Sequence, residues 1–328
     1  MKLLFVFTGG TIGSTKAGDT IAVDRAKPYL LCEEYAKHHP MDFTYDTVEP
    51  FAELSENFSG AHIATLLSTV KSALTDYDGI IVTHGTDTLQ YSAAALGYLL
   101  GNDAPPVCLV SSNFPIEEEG SNGIDNLFGA ISLIASGEHR GVFVIYRNNV
   151  DSDILVHRGT RLSAGFAFSD DMLAVKECPY GLVRADGSVV KNPAYNEKED
   201  ALGVPKVIAL SEKDSGILRV FPYPGMTYPP IEENTRAILL DTYHSGTVYA
   251  KGEPTHGFLA EARRRGIPVY VTGMLGDATY DSTHIFDEFG VVRLPRISPI
   301  AAYMKLWMYA EEENLPSLLL SPRGGDIF

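Results

Sequence analysis

Three apolar runs in this sequence each end abruptly in residues that can do chemistry. Lys2–Phe7 runs into Thr8-Gly9-Gly10-Thr11-Ile12-Gly13-Ser14. Glycine lets a backbone turn sharply and lets another group approach closely. This loop therefore presents the hydroxyls of Thr8 and Thr11 on a tight, open corner. Gly79–Val82 runs into Thr83-His84-Gly85-Thr86-Asp87-Thr88, which adds a carboxylate, and Val107–Val110 runs into Ser111-Ser112-Asn113. Short apolar runs of this kind read as buried parallel strands. Ligands of open α/β sheets bind just beyond the carboxyl ends of such strands. A fourth polar stretch, Glu53-Leu54-Ser55-Glu56-Asn57, follows the alternating strand Phe43–Val48.

These residue types suit an amide or ester hydrolase that works without a metal. Such an enzyme needs a nucleophile, a nearby base and donors for the developing oxyanion. A threonine hydroxyl serves as nucleophile once a base takes its proton. Other solutions are absent. The sequence has no G-x-S-x-G elbow and no H-E-x-x-H. A dinucleotide fingerprint needs a glycine where Thr8 stands and a helix where Thr15–Asp19 reads as loop. Taken alone, the first loop is also compatible with a plain turn. His84 is the histidine to watch, because it follows a strand beside Thr86.

Composition bounds the rest. The chain has 328 residues, 45% of them hydrophobic, and a formal net charge of -16. A packed soluble protein of one large or two ordinary domains is expected. The acidic balance disfavours a nucleic-acid partner, which needs a basic surface. Cys32, Cys108 and Cys178 show neither metal-ligand nor disulfide-framework spacing. No apolar stretch reaches membrane-spanning length and no signal peptide is evident, so a cytoplasmic location is the expectation.

The elements that position these loops alternate. Helices are expected at 25–39, 61–76, 90–100 and 124–135, between strands at 43–48, 79–82, 107–110 and 141–146. That alternation predicts right-handed βαβ units. The fold class is α/β: a larger N-terminal, doubly wound, mostly parallel sheet domain over 1–190, then a linker over 191–205. A smaller C-terminal α/β domain over 206–328 follows. In that domain, 206–210, 237–241 and 268–272 read as strands, and 255–264 and 298–312 as helices. Ser298-Pro299 offers a capping hydroxyl and a proline at the first helical position.

Thr8–Gly13 and His84–Leu89, in this order and separation, resemble the two signature motifs of the bacterial-type L-asparaginases. Ser55-Glu56-Asn57, Ser112–Pro115, Ser121-Asn122-Gly123, Tyr223-Pro224-Gly225 and Lys305-Leu306 extend the resemblance along nearly the whole chain. It implies hydrolysis of L-asparagine or a related amide to the acid and ammonia, with no cofactor or metal. It also implies a homodimer or homotetramer, the site lying between neighbouring subunits. Tyr243–Thr247 and Tyr280–Thr283 are candidate loops for a neighbour's site. Carried over by motif, Thr11 is the nucleophile that forms an acyl-enzyme, and Thr86 is the second essential hydroxyl. Asp87 and Glu56 hold the substrate's α-amino group and Ser55 its α-carboxylate. Gly10, Gly85 and Ser112 complete the substrate-binding set.

The chain departs from the family in three places. Ala164 stands where the family has a lysine paired with the second threonine. Arg161 is a poor substitute because guanidinium does not deprotonate at working pH; Lys16 and Lys176 are the other cations to consider. Thr20 takes the place of a flap tyrosine, and Ser111 that of a glycine or alanine. A catalytically weak homologue that only binds an amino acid is therefore a second reading. A third is the ammonia-releasing component of a tRNA-dependent amidotransferase. An extra N-terminal domain is expected for that component, whereas the signature here begins at Thr8.

Overall fold

The computed structural model describes all residues except 11, 13, 18–19, 24–26, 150–151, 206–209, 211–214 and 275–279; for 14–17, 20–23 and 27–29 it describes the backbone alone. The expected strand at 206–210 falls mostly outside the described residues. The first half runs β1 (Lys2–Phe7), β2 (Ser14–Ala17), β3 (Thr20–Val23), α1 (Lys27–His38), β4 (Thr44–Val48), α2 (Gly60–Ala73), β5 (Gly79–Thr83), α3 (Leu89–Leu100), β6 (Val107–Val110), α4 (Gly123–Ala135), β7 (Val142–Tyr146), β8 (Ile154–Arg158), β9 (Gly181–Val183) and β10 (Val189–Lys191). The second half runs β11 (Ile217–Val220), β12 (Ala237–Leu240), α5 (Glu253–Arg264), β13 (Val269–Val271), α6 (His284–Phe289), β14 (Val292–Arg293), α7 (Pro299–Met308) and α8 (Leu315–Leu320).

The first sheet has eight strands in the order β10-β9-β8-β7-β6-β5-β1-β4. From β4 to β7 all neighbours are parallel; β8, β9 and β10 continue antiparallel. Its strands β6 and β7 are buried at every position because both faces are covered. Leu4, Val6, Val82, Leu109 and Val144 meet α2 and α3 on one face. Leu3, Phe5, Phe7, Val110, Phe143 and Ile145 meet α1 and α4 on the other. A second, all-parallel sheet follows the order β11-β12-β13-β14. Ala93–Ala95 and Gly97 keep one face of α3 small, and α7 packs closely there. One apolar core thus runs from the first sheet through α3 and α7 to Ala237, Leu239 and Tyr270 of the second.

Three expectations change. Helix α2 stops at Ala73 and α7 at Met308, each short of its apolar pattern. Pro299 does open α7, but the Ser298 hydroxyl makes no cap; it donates to the Leu162 carbonyl at 2.5 Å instead. Before the expected linker, β8 and the β9–β10 hairpin extend the first sheet. Residues 321–328 then return to that half, where Thr160 donates to the Gly324 carbonyl at 2.7 Å. Among the described residues no helix is long and apolar enough to cross a membrane.

Candidate functional site

Strands β1 and β5 are neighbours, with Phe7 opposite Thr83, so their two loops leave the same edge of the sheet side by side. The Thr8 hydroxyl donates to the Thr83 carbonyl at 2.7 Å and ties the two exits together. Gly9, at φ +103°, runs beside Glu53 with no room for a side chain; a Cβ there would stand 2.3 Å from the Glu53 carbonyl oxygen. The Gly10 amide donates to that carbonyl at 3.2 Å, and the Glu53 amide donates to the Thr8 carbonyl at 3.0 Å. Gly10, at φ +80°, lies against Gly85, and a Cβ on Gly10 would stand 2.3 Å from the Gly85 nitrogen. A Cβ on Gly85 would stand 2.4 Å from the Ser55 hydroxyl. Glycines are required here because three backbones converge.

Around this contact the polar groups gather. Ser55 is buried, and its hydroxyl reaches Asp87 Oδ2 at 3.4 Å. The Thr88 hydroxyl donates to the Ser55 carbonyl at 2.8 Å, fixing one loop on the other. Thr86 is half-buried, while Asp87 and Glu56 are exposed and free to meet a ligand. Thr11 and Gly13 lie outside the described residues; Ile12 between them is buried in the core. Gly10, Ser55, Gly85 and Asp87 are thus brought together. Ser112 is not available in the same way, because it is buried and its hydroxyl donates to the Phe114 carbonyl at 2.7 Å.

His84 is buried and fully engaged, one ring nitrogen on the Gly85 carbonyl and the other on the Ser92 hydroxyl, both at 2.8 Å. Burial holds its pKa down at about 4, so the ring is a neutral brace of the loop. Sequence reasoning missed Gln90, whose amide donates to the Asp87 carbonyl at 3.0 Å. The signal was available: a glutamine on a helix whose other inward positions are mostly apolar.

Ala164 is exposed. Arg161 is committed elsewhere, donating to the Gly325 carbonyl at 2.6 Å and the Ile327 carbonyl at 3.0 Å. Lys176 sits 5.4 Å from the centre of the Phe328 ring. The Lys16 and Thr20 side chains lie outside those described.

Two packed α/β sheets, with hydroxyl and carboxylate groups gathered at the carboxyl edge of the larger, define an enzyme of the α/β class. The sequence model of the asparaginase N-terminal region matches residues 2–193, and the chain belongs to the asparaginase family, a family of amidohydrolases. It is similar to one component of the glutamyl-tRNA(Gln) amidotransferase of Thermococcus kodakarensis, 27% identical over 98% of this chain and 75% of that protein. It is equally similar to L-asparaginase 1 of Escherichia coli, 27% identical over 95% of this chain and 93% of the relative. In fold it resembles the thermostable L-asparaginase from Thermococcus kodakarensis, with a TM-score of 0.82 at 23% identity, covering 100% of this chain and 99% of that one.

Proposed function

We propose that this chain is a metal-independent asparaginase-like amidohydrolase that works through the Thr11 hydroxyl. Thr11 attacks the side-chain amide carbon of L-asparagine or a related amide, and its proton ends on the amide nitrogen. The tetrahedral adduct collapses, the C–N bond breaks and protonated nitrogen leaves as ammonia. The resulting threonine ester is attacked by water, which Thr86 positions, and the free acid departs. Asp87 and Glu56 hold the substrate's ammonium group, as carboxylates do best. Ser55 meets its carboxylate, and Gly10 and Gly85 let the substrate approach the backbone. A cytoplasmic homodimer or homotetramer completes the proposal, with Tyr243–Thr247 and Tyr280–Thr283 reaching a neighbour's site. The domain boundary lies at 191–205.

What supports this reading most is the Gly10–Gly85 contact with Ser55 and Asp87 beside it. The test is ammonia release from L-asparagine, L-glutamine and related amides by the purified protein, with Thr11→Ala as control. Release abolished by Thr11→Ala supports the proposal; an inert wild type on every amide sinks it. The exposed Ala164 favours the second reading, an amino-acid binder without turnover. Calorimetry showing tight aspartate or asparagine binding by an inert protein would select it.

A further inference from the structure

One face of the first sheet carries polar groups that no strand or helix satisfies. Residues paired across neighbouring strands point to the same side of a sheet. Val144 pairs with His157 and Tyr146 with Leu155, so Tyr146 and His157 are diagonal neighbours on one face. That face is the one on which Val144 and Leu109 meet α3. Val110 pairs with Ile145, so Ser111, continuing the alternation of β6, falls beside Tyr146. Helix α3, which packs on this face, also carries the buried Gln90.

Among the described residues, Gln90 Oε1, the Ser111 hydroxyl, the Tyr146 hydroxyl and both ring nitrogens of His157 are buried without a hydrogen-bond partner. The Tyr146 hydroxyl lies toward the Asn122 amide without completing a bond to it. His157 is 1% exposed, and a neutral imidazole still has one donor and one acceptor to satisfy. Buried polar groups are rarely left dry, and internal water with two to four polar partners is the usual remedy. His84 cannot serve them, since both its nitrogens are taken.

We propose that Gln90, Ser111, Tyr146 and His157 hold a string of ordered water beneath the Thr86–Asp87 loop and act as positioning residues for it. Gln90 is the link: its amide nitrogen holds the Asp87 carbonyl at 3.0 Å while its carbonyl oxygen is buried without a partner. Water on that oxygen fixes the amide's orientation and so the height of the loop.

A crystal structure at a resolution that shows water decides the first half. Waters bonded to His157 and to the Tyr146 hydroxyl are expected; a dry seam overturns the proposal. Thermal unfolding of Tyr146→Phe and His157→Leu is the second arm. Removing a group that binds water lowers the melting temperature, whereas removing a dry orphan leaves it unchanged or raises it. The positioning half rests on the amidohydrolase reading. Gln90→Met is expected to lower kcat/KM about tenfold, the size of one lost hydrogen bond. The loss should fall mainly in KM, because Asp87 is the substrate's anchor in that reading. Wild-type kinetics in Gln90→Met would overturn the positioning role. A wild type inert on all amides would defeat the amidohydrolase reading instead, leaving the water and the melting temperatures to decide the seam.

Discussion

Gly10 and Gly85 touch backbone to backbone, so that a Cβ on the first would lie 2.3 Å from the amide nitrogen of the second. Neither can carry a side chain without moving a loop. Gly10→Ala also forces an L-residue to φ +80°. The expected result is a loss of roughly 1–3 kcal/mol of stability from strain and overpacking, with activity lost as the loops part. Gly85→Ala instead meets the Ser55 side chain, its Cβ at 2.7 Å as well as its hydroxyl, but needs no left-handed φ. It should cost less stability yet still raise KM. Denaturant unfolding beside steady-state kinetics on both variants checks the order.

Acid sensitivity should begin earlier than carboxylate titration requires. His84 and His157 are buried, and desolvation lowers each pKa from 6.5 to about 4. The unfolded chain therefore takes up protons below pH 6.5 that the folded chain refuses until about pH 4. Stability is full above the unfolded value and falls as pH drops through this window, by about 1.4 kcal/mol per pH unit for each ring. Urea unfolding between pH 7 and pH 4 should show that slope, and His157→Phe should remove about half of it. A stability curve flat over this range contradicts the assignment.

Lys305 and Asp326 form an ion pair at 2.7 Å with both side chains fully buried. The Lys305 ammonium also donates to the Ser321 carbonyl at 2.5 Å, and the Tyr98 hydroxyl donates to Asp326 at 3.1 Å. Burial outweighs the attraction of Asp326 and holds the Lys305 pKa below the usual lysine value. Charge is therefore retained here at a cost. Lys305→Met leaves Asp326 buried and unpaired, and a loss of about 3–5 kcal/mol is expected. Because this pair holds residues 321–328 against α7, limited proteolysis of the variant should release the end of the chain first.

Ser298 offers a test of where a capping residue's hydroxyl goes. It is buried and donates to the Leu162 carbonyl across the interior. Ser298→Ala should cost about 1–3 kcal/mol, the desolvation penalty of an orphaned carbonyl. Ser298→Asp would rescue a helix cap, but here it buries a charge and should be worse than alanine. Equal stability of the aspartate and serine proteins would restore the cap.

Much of the fold was legible because the central strands are buried on both faces and read as unbroken apolar runs. Val107–Val110 and Val142–Tyr146 are examples. Punctuation made the site legible too: glycine and threonine stand just where β1 and β5 end. Strands β8 and β11 were not legible. Ile154–Arg158 carries His157 and Arg158, and Ile217–Val220 is half-buried, so neither shows a clean run or alternation. Arg158 is satisfied by a residue far along the chain, Glu197, at 2.8 Å. The Ser298 bond escaped for the same reason: its partner, Leu162, is set by tertiary packing, which leaves no local pattern.

The Ser55–Asp87 contact, at 3.4 Å, is long for a hydrogen bond and leaves the exposed carboxylate's charge for a ligand. In the proposed enzyme that ligand is the α-ammonium of the substrate. Asp87→Asn keeps the shape and removes the charge. A charge-assisted hydrogen bond is worth about 1.5–3 kcal/mol, so kcat/KM for asparagine should fall roughly 10- to 150-fold. The control is succinamic acid, the asparagine analogue without the amino group. Wild type and Asp87→Asn should hydrolyse it equally slowly, because neither has an ammonium to hold. Equal loss on both substrates would mean that Asp87 shapes the loop rather than binding the amine.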